Sequence, residues 1–202
     1  MFFITKFTLP NKCLFHLFNF KPATMNSTIF IRNIQLVLIP LLISHIVMAK
    51  DKDFAYLRDG ISFSLSDGWK TIANDSIGDK AYYFSAERTG THSTGLITIT
   101  WVNKIEDPAK MIEIHQQSMK SSNIFRNPGI EFSAIENDTF ASLKVKSCHY
   151  ITFVKDQKLE GIIYCFNSSN KTITIFLQSG LNDNKLNQKA FELLRNTFNC
   201  RD

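Results

Sequence analysis

From Phe54 onward the chain switches between two hydrophobic periods, and the switches mark its elements. Ile61, Phe63 and Leu65 alternate with Ser62 and Ser64, the period of a strand with one buried face. With "FAYL" before it and "RDG" between, the segment predicts two short strands around a turn. "SDGW" at 66–69 is a turn in which Gly68 takes the positive φ that other residues resist, after which Trp69 returns to the core. "AYYFSAER" and "GLITITWV" follow as strands joined by the flexible connection "TGTHSTG". In "EDPAKMIEIHQQSMKSS" the period becomes helical: Asp107 is placed to cap, Pro108 to open the first turn, and Met111, Ile112, His115 and Met119 share one face. After "NPG" at 127–129 come "IEFSAIE", "TFASLKVKSCHYITFV", "LEGIIYCF" and "KTITIFLQ", rich in β-branched and aromatic residues and separated by polar turns. The chain closes on a helical stripe of Leu186, Ala190, Leu194 and Phe198, with Phe191 beside it. The expected fold class is α+β, an antiparallel meander flanked by two or more helices, in a single domain over 50–202.

A different apolar run, Ile34 to Met48, precedes this body. It is about 15 residues long and interrupted by Gln35, Pro40, Ser44 and His45, whereas a spanning helix needs about 20 apolar residues. A secretory signal needs a basic start, a short apolar centre and small residues before the cut. "MNSTIFIRN" from Met25, the run itself, and "VMA" ending at Ala49 supply all three. Residues 25–49 are therefore expected to be a signal peptide cleaved after Ala49, giving a periplasmic or secreted protein. An uncleaved, membrane-anchored form is the alternative. Residues 1–24 do not fit a signal start and Met25 does, so they are expected to be an extension ahead of the true start or a weak targeting segment.

The formal net charge of +5 invites a nucleic-acid or lipid partner, but its distribution removes that reading. Residues 1–49 carry Lys6, Lys12, Lys21 and Arg32 and no acid, which leaves 19 basic against 18 acidic groups in the body. Neutralising several phosphates needs clustered cations, so no nucleic-acid partner is expected.

A short opening hairpin, the segment "GISFSLSDGWK" from Gly60 to Lys70, the meander, and a final amphipathic helix ending in "NTF" together resemble the PsbP-like α/β/α sandwich domains of exported bacterial proteins. The resemblance covers about residues 53–200. It implies an accessory or binding protein, since such domains include photosystem-associated subunits, a Ran-binding protein and many uncharacterised periplasmic or lipoprotein members, with no shared catalytic residues. No cysteine follows the apolar run to accept a lipid, which separates this chain from the lipoprotein members, and nothing in it points to photosynthesis.

Candidate chemistry is sparse, and no cofactor or metal site is expected. A two-residue turn at Asp156 and Gln157 would set Cys148 opposite Cys165, within reach of a cross-strand disulfide in an oxidising compartment; the alternative is two reduced core thiols. Cys200 makes the mature count odd, and its place past the last helix predicts exposure. His92 lies in the glycine-flanked loop, His149 on a strand, and His115 on the apolar helix face, where a buried, hydrogen-bonded histidine is expected. An unrecognised hydrolase using His92 or His149 is the catalytic alternative, although no G-x-S-x-G or H-E-x-x-H pattern accompanies either. Consecutive Tyr82 and Tyr83 must face opposite ways, so one of them is expected beside Trp101; with His92 these form the candidate ligand or partner surface. Asn74, Asn137, Asn167 and Asn170 begin glycosylation sequons, relevant only in a host that uses them.

Overall fold

The computed structural model describes residues 54–77, 81–90, 93–122, 129–154 and 157–201, all within the unit Ala49–Asp202. The expected signal segment, His92 and the turn before Gln157 lie outside the described residues. No helix among the described residues is long and apolar enough to cross a membrane.

Among the described residues eleven strands form two sheets. Strands β1 (Phe54–Arg58), β2 (Ile61–Leu65) and β11 (Asn199–Cys200) make a small sheet in the order β1-β2-β11. The large sheet uses β3 (Trp69–Ile77), β4 (Ala81–Arg88), β5 (Leu96–Val102), β6 (Ile130–Phe132), β7 (Glu136–Phe140), β8 (Leu143–Val154), β9 (Gln157–Ser168) and β10 (Lys171–Gly180). Its order is β3-β4-β5-β10-β9-β8-β6, with β7 also pairing β8, and every pair is antiparallel. Two α-helices among the described residues pack against the sheets, α1 (Pro108–Ser121) and α2 (Asn184–Thr197).

Strand alternation then assigns the core. On one face of the large sheet Phe84, Ile97, Ile99, Trp101, Ile173, Ile175 and Leu177 are buried beneath the small sheet and α2, which contribute Tyr56, Ile61, Phe63, Leu65, Phe191 and Leu194. On the other face α1 lays Ile112, Met111 and Met119 over Cys148, Tyr150, Ile163 and Cys165. Here β9 carries Gly161 directly opposite Tyr150, and the phenol ring fills the space a side chain would occupy: a Cβ there would fall 2.3 Å from Tyr150 Cζ. The start of α1 matches the sequence, since the Asp107 carboxylate accepts the Ala109 N–H at 2.9 Å with Pro108 in the first turn.

Several expectations are corrected. The polar segment "WKTIANDSI", not read as a strand, forms β3 at the sheet edge, with a register shift between Thr71 and Ala73 that kinks it. A bulge together with Lys70 and Asp75 blunts an otherwise open edge. The long strand expected over 139–154 is two strands, broken at Ala141, which takes φ 56° without a glycine to signal the turn. In α2, Leu186 faces outward at 56% exposure while Asn187 is fully buried. Cys200 is not a frayed end: it pairs with Ile61 in β11 and packs against the main core.

The disulfide expectation also falls. Val154 pairs with Gln157, two positions short of the expected register, so Cys148 stands opposite Ile163 and Cys165 opposite Lys146. Diagonal neighbours of this kind are about 7–8 Å apart, beyond ordinary disulfide reach. Both thiols are free and buried.

Candidate functional site

At one end of the sandwich the turns of both sheets meet. The β1–β2 hairpin turns on Asp59 (φ 52°) and Gly60 (φ 78°), the paired positive values of a two-residue turn that matches strand twist. Gly60 is required twice over, because a Cβ would also lie 1.9 Å from the Arg201 carbonyl oxygen. That contact is a pairing, in which Arg201 N–H donates to Gly60 O at 2.9 Å and fixes the C-terminal segment against the turn. The β9–β10 turn carries Ser169 at φ 54° and brings Asn170 and Lys171 to the same end. Asn103, just past β5, completes a hollow of about 340 Å³ lined by Asp59, Gly60, Asn103, Asn170, Lys171 and Arg201.

Behind this hollow lies an aromatic stack. The register pairs Tyr82 with Trp101 on the core face, and their rings stack at 5.5 Å between centroids and 19° between planes. Arg58 also lies over the Tyr82 ring, its guanidinium carbon 4.5 Å from the centroid. Trp101 is fully buried and donates its indole N–H to Asp59 Oδ2 at 3.3 Å. Arg58 also approaches Asp59 at 3.7 Å and donates to Asn74 Oδ1 at 3.3 Å, the same oxygen that accepts the Tyr56 hydroxyl at 3.0 Å. Burial raises the Tyr56 phenol above its ordinary range, with Arg58 acting against that rise. Tyr82 is engaged by both the Trp101 ring and the Arg58 guanidinium. Its role here is to hold Arg58 and the β1–β2 turn in place.

The structure thus puts Tyr82 beside Trp101 and sends Tyr83 to the opposite face, opposite Thr100. Sequence reasoning missed Arg58, Asp59, Asn103, Asn170, Lys171 and Arg201. The available signal was topological: in an antiparallel meander, turns two strands apart fall at one end. A larger hollow, about 570 Å³, runs along residues 181–192, but that single segment lines all of it.

The remaining polar clusters serve the fold. Asp183, at the cap position of α2, spends its carboxylate on Arg88 and Thr94 rather than on the helix N–H groups. Asn187 Oδ1 accepts from Arg88 Nε at 2.8 Å, and its amide donates to Ser179 at 2.8 Å. Burial would raise the Asp183 pKa, but the bonds from Thr94 and Arg88 outweigh it and hold the carboxyl below its ordinary value. The connection expected to be a mobile tip is therefore tied at its Thr94 end. Under α1, Cys148 accepts from Gln116 Nε2 at 3.0 Å, and burial pushes the Cys165 thiol up to about 11. His149 is exposed, and no side chain among the described residues bonds its ring. Among those residues no three metal-ligating side chains gather.

His115 packs edge-on against Phe176 at 4.9 Å, and its buried Nε2 has no hydrogen-bond partner among the described residues, contrary to the expected bonded histidine. Burial lowers its pKa from 6.5 to about 4. Between those values the unfolded chain binds the proton and the folded chain does not, so stability rises with pH. The contribution is complete above pH 6.5 and is withdrawn as pH falls toward 4, by up to about 3 kcal/mol. Urea unfolding at pH 7 and pH 4.5 is expected to show this loss, and His115→Leu is expected to remove most of the difference. An unchanged pH slope in His115→Leu would assign the loss to other groups.

No protein-family model matches the chain, and no curated protein matches it in sequence. Among solved structures it is similar to cyanobacterial PsbP (CyanoP) from Synechocystis sp. PCC 6803, with a TM-score of 0.49 and 12% identity, covering 74% of this chain and 92% of that one. It is also similar to LpqN of Mycobacterium tuberculosis, described as involved in cell envelope biogenesis, with a TM-score of 0.49 and 11% identity, covering 76% and 92%. A third is PA94 from Pseudomonas aeruginosa, described as a protein of unknown function, with a TM-score of 0.41 and 12% identity, covering 74% and 98%. At these identities and scores the likenesses carry nothing about ligand or activity. The fold stands on the strands and helices themselves: an antiparallel sheet with a helix against each face, the α+β arrangement expected from the sequence.

Proposed function

We propose that the chain is an exported accessory domain that acts by binding, through the hollow between the two sheets. One observation carries the reading: two rigid turns, the end of β5 and the C-terminal segment, distant in sequence, converge on one solvent-facing hollow lined mainly by polar and charged side chains. Ligand sites gather a few fixed polar groups in a concave surface, and backbones pinned by positive φ and strand pairing supply that fixity. Residues 25–49 serve as the signal peptide in this reading, with the mature chain starting at Lys50 in the periplasm or outside the cell.

Mass spectrometry of the protein isolated from its own host tests both halves. The denatured mass is expected to correspond to a start at Lys50; a mass that retains residues 25–49 replaces this with a membrane-anchored envelope component. The native mass is expected to include a bound species, lost in Asn103→Trp, which fills the hollow, and kept in Gln188→Trp on the distant helix. A bound species unaffected by Asn103→Trp would place the site elsewhere.

A further inference from the structure

Resting on that reading of the hollow, we propose that it receives an anionic group, a carboxylate or phosphate, between Lys171 and Arg201. The charge balance of the lining residues leads there. Asp59 is the one acid among them, and its carboxylate already accepts the Trp101 indole N–H and lies beside Arg58. Arg58 is in turn held over Tyr82 and bonded to Asn74. The acid therefore has its own cation, positioned before any ligand arrives.

Lys171 and Arg201 have no such counterpart. No carboxylate among the described residues lies within ion-pair distance of either, and Lys171 Nζ touches only the Asn170 amide oxygen, at 3.2 Å. These two cations, neither ion-paired to a carboxylate among the described residues, outnumber the one acid in the lining of the hollow. Asn103 and Asn170 add amide N–H donors, and the guanidinium presents the paired donors that fit a planar or tetrahedral oxyanion. Both cations stand on fixed backbone, Lys171 opposite Ser168 in β10 and Arg201 bonded to Gly60. Ordering costs at these positions are correspondingly small.

A cation is the competing occupant, since Asp59, Asn103 and Asn170 offer oxygens. It would have to displace Arg58 and the indole from Asp59 while lying beside two positive side chains. A free anion and an acidic side chain on a partner present the same oxygens to the site, and the test separates them.

The protein has two tryptophans, and they form an internal pair of probes. The Trp101 indole N–H is bonded to the rim of the hollow, whereas Trp69 packs against Phe191. Their indole signals are followed by nitrogen–proton correlation NMR at low ionic strength. The titrants are inorganic phosphate, acetate and a capped triglutamate peptide, with calcium chloride for the competing cation and sodium chloride at matched ionic strength as control.

The expected result is a saturable movement of the Trp101 signal with Trp69 still. Lys171→Gln and Arg201→Gln are each expected to weaken binding roughly tenfold, the scale of a lost charge-assisted bond. Asp59→Asn, which keeps an acceptor for the indole and tolerates positive φ, is expected to strengthen it several-fold. Response to the small anions identifies a free ligand, and response to the peptide alone identifies an acidic partner segment; both support the proposal. Silence toward all three, movement with calcium chloride instead, no effect of either cation substitution, or weaker binding in Asp59→Asn would overturn it. If Asn103→Trp strips a bound species from the native protein while the probes leave Trp101 unmoved, the anion assignment fails and the binding reading stands.

Discussion

Trp101→Ala is expected to lower the unfolding free energy by about 3–5 kcal/mol, the range for a large aromatic removed from a well-packed core. The indole is fully buried, stacks on Tyr82 and meets the edge of Tyr56 at 6.5 Å. Alanine leaves a cavity that the neighbouring strands, held in register on both sides, are poorly placed to close. The melting temperature is expected to drop by roughly 10 °C. Loss of the indole also leaves Asp59 without its inward donor and frees Tyr82 to tilt, so the end of the sandwich should loosen beyond the core itself. Trp101→Phe separates the two effects by restoring ring volume without the N–H donor. Thermal unfolding of the three proteins decides the matter: an alanine variant that melts within a degree or two of the parent would mean that Trp101 is not the packing centre of this end.

Asp183→Ala is expected to cost about 3 kcal/mol or more, because it strands a charge. The Arg88 side chain is 19% exposed and its guanidinium divides its bonds between Asp183 and Asn187. Without the carboxylate, the cation stays largely desolvated beside a buried amide, and Thr94 loses the acceptor for its N–H and hydroxyl. Removing both charges in Arg88→Met with Asp183→Ala is expected to recover part of the loss, since a neutral pair leaves nothing buried and unpaired. Denaturant unfolding of the single and double variants provides the coupling energy. Strictly additive losses would show that the two side chains act independently. The single substitution should also weaken protection of the Thr94 and Gly180 amides from hydrogen exchange, as Gly180 N–H donates to the Thr94 hydroxyl at 2.6 Å.

These residues show where the sequence was readable. Alternation in "ISFSL" assigned its inward positions correctly, because a side chain's face follows from local backbone geometry alone. The α1 cap was legible for the same reason. Register was not: a two-residue slip between β8 and β9 leaves every side chain on its own face, so the pattern that identified the strands is silent about it. The pairing of Val154 with Gln157 decides it, and with it the neighbours of Cys148 and Cys165. Strand β3 escaped notice since an edge strand with polar side chains on both faces has no hydrophobic period. Leu186 and Asn187 exchanged roles because the Arg88–Asp183 bond, a contact across 95 positions, sets how α2 is rotated. The hollow was the least legible of all. Its lining comes from turns whose residues become neighbours only through the strand order.

That strand order also governs when the molecule can assemble. Strand β10 lies between β5 and β9, joining a half made from residues before 103 to one made mostly from residues after 130. The β1–β2 hairpin likewise waits for β11, two residues from the C-terminus. Neither half-sheet can close its seam until the last thirty or so residues are present, and pairings so distant along the chain form slowly. A polypeptide built this way cannot complete either sheet before residues 171–200 are in place, so its core is sealed as one late event rather than strand by strand.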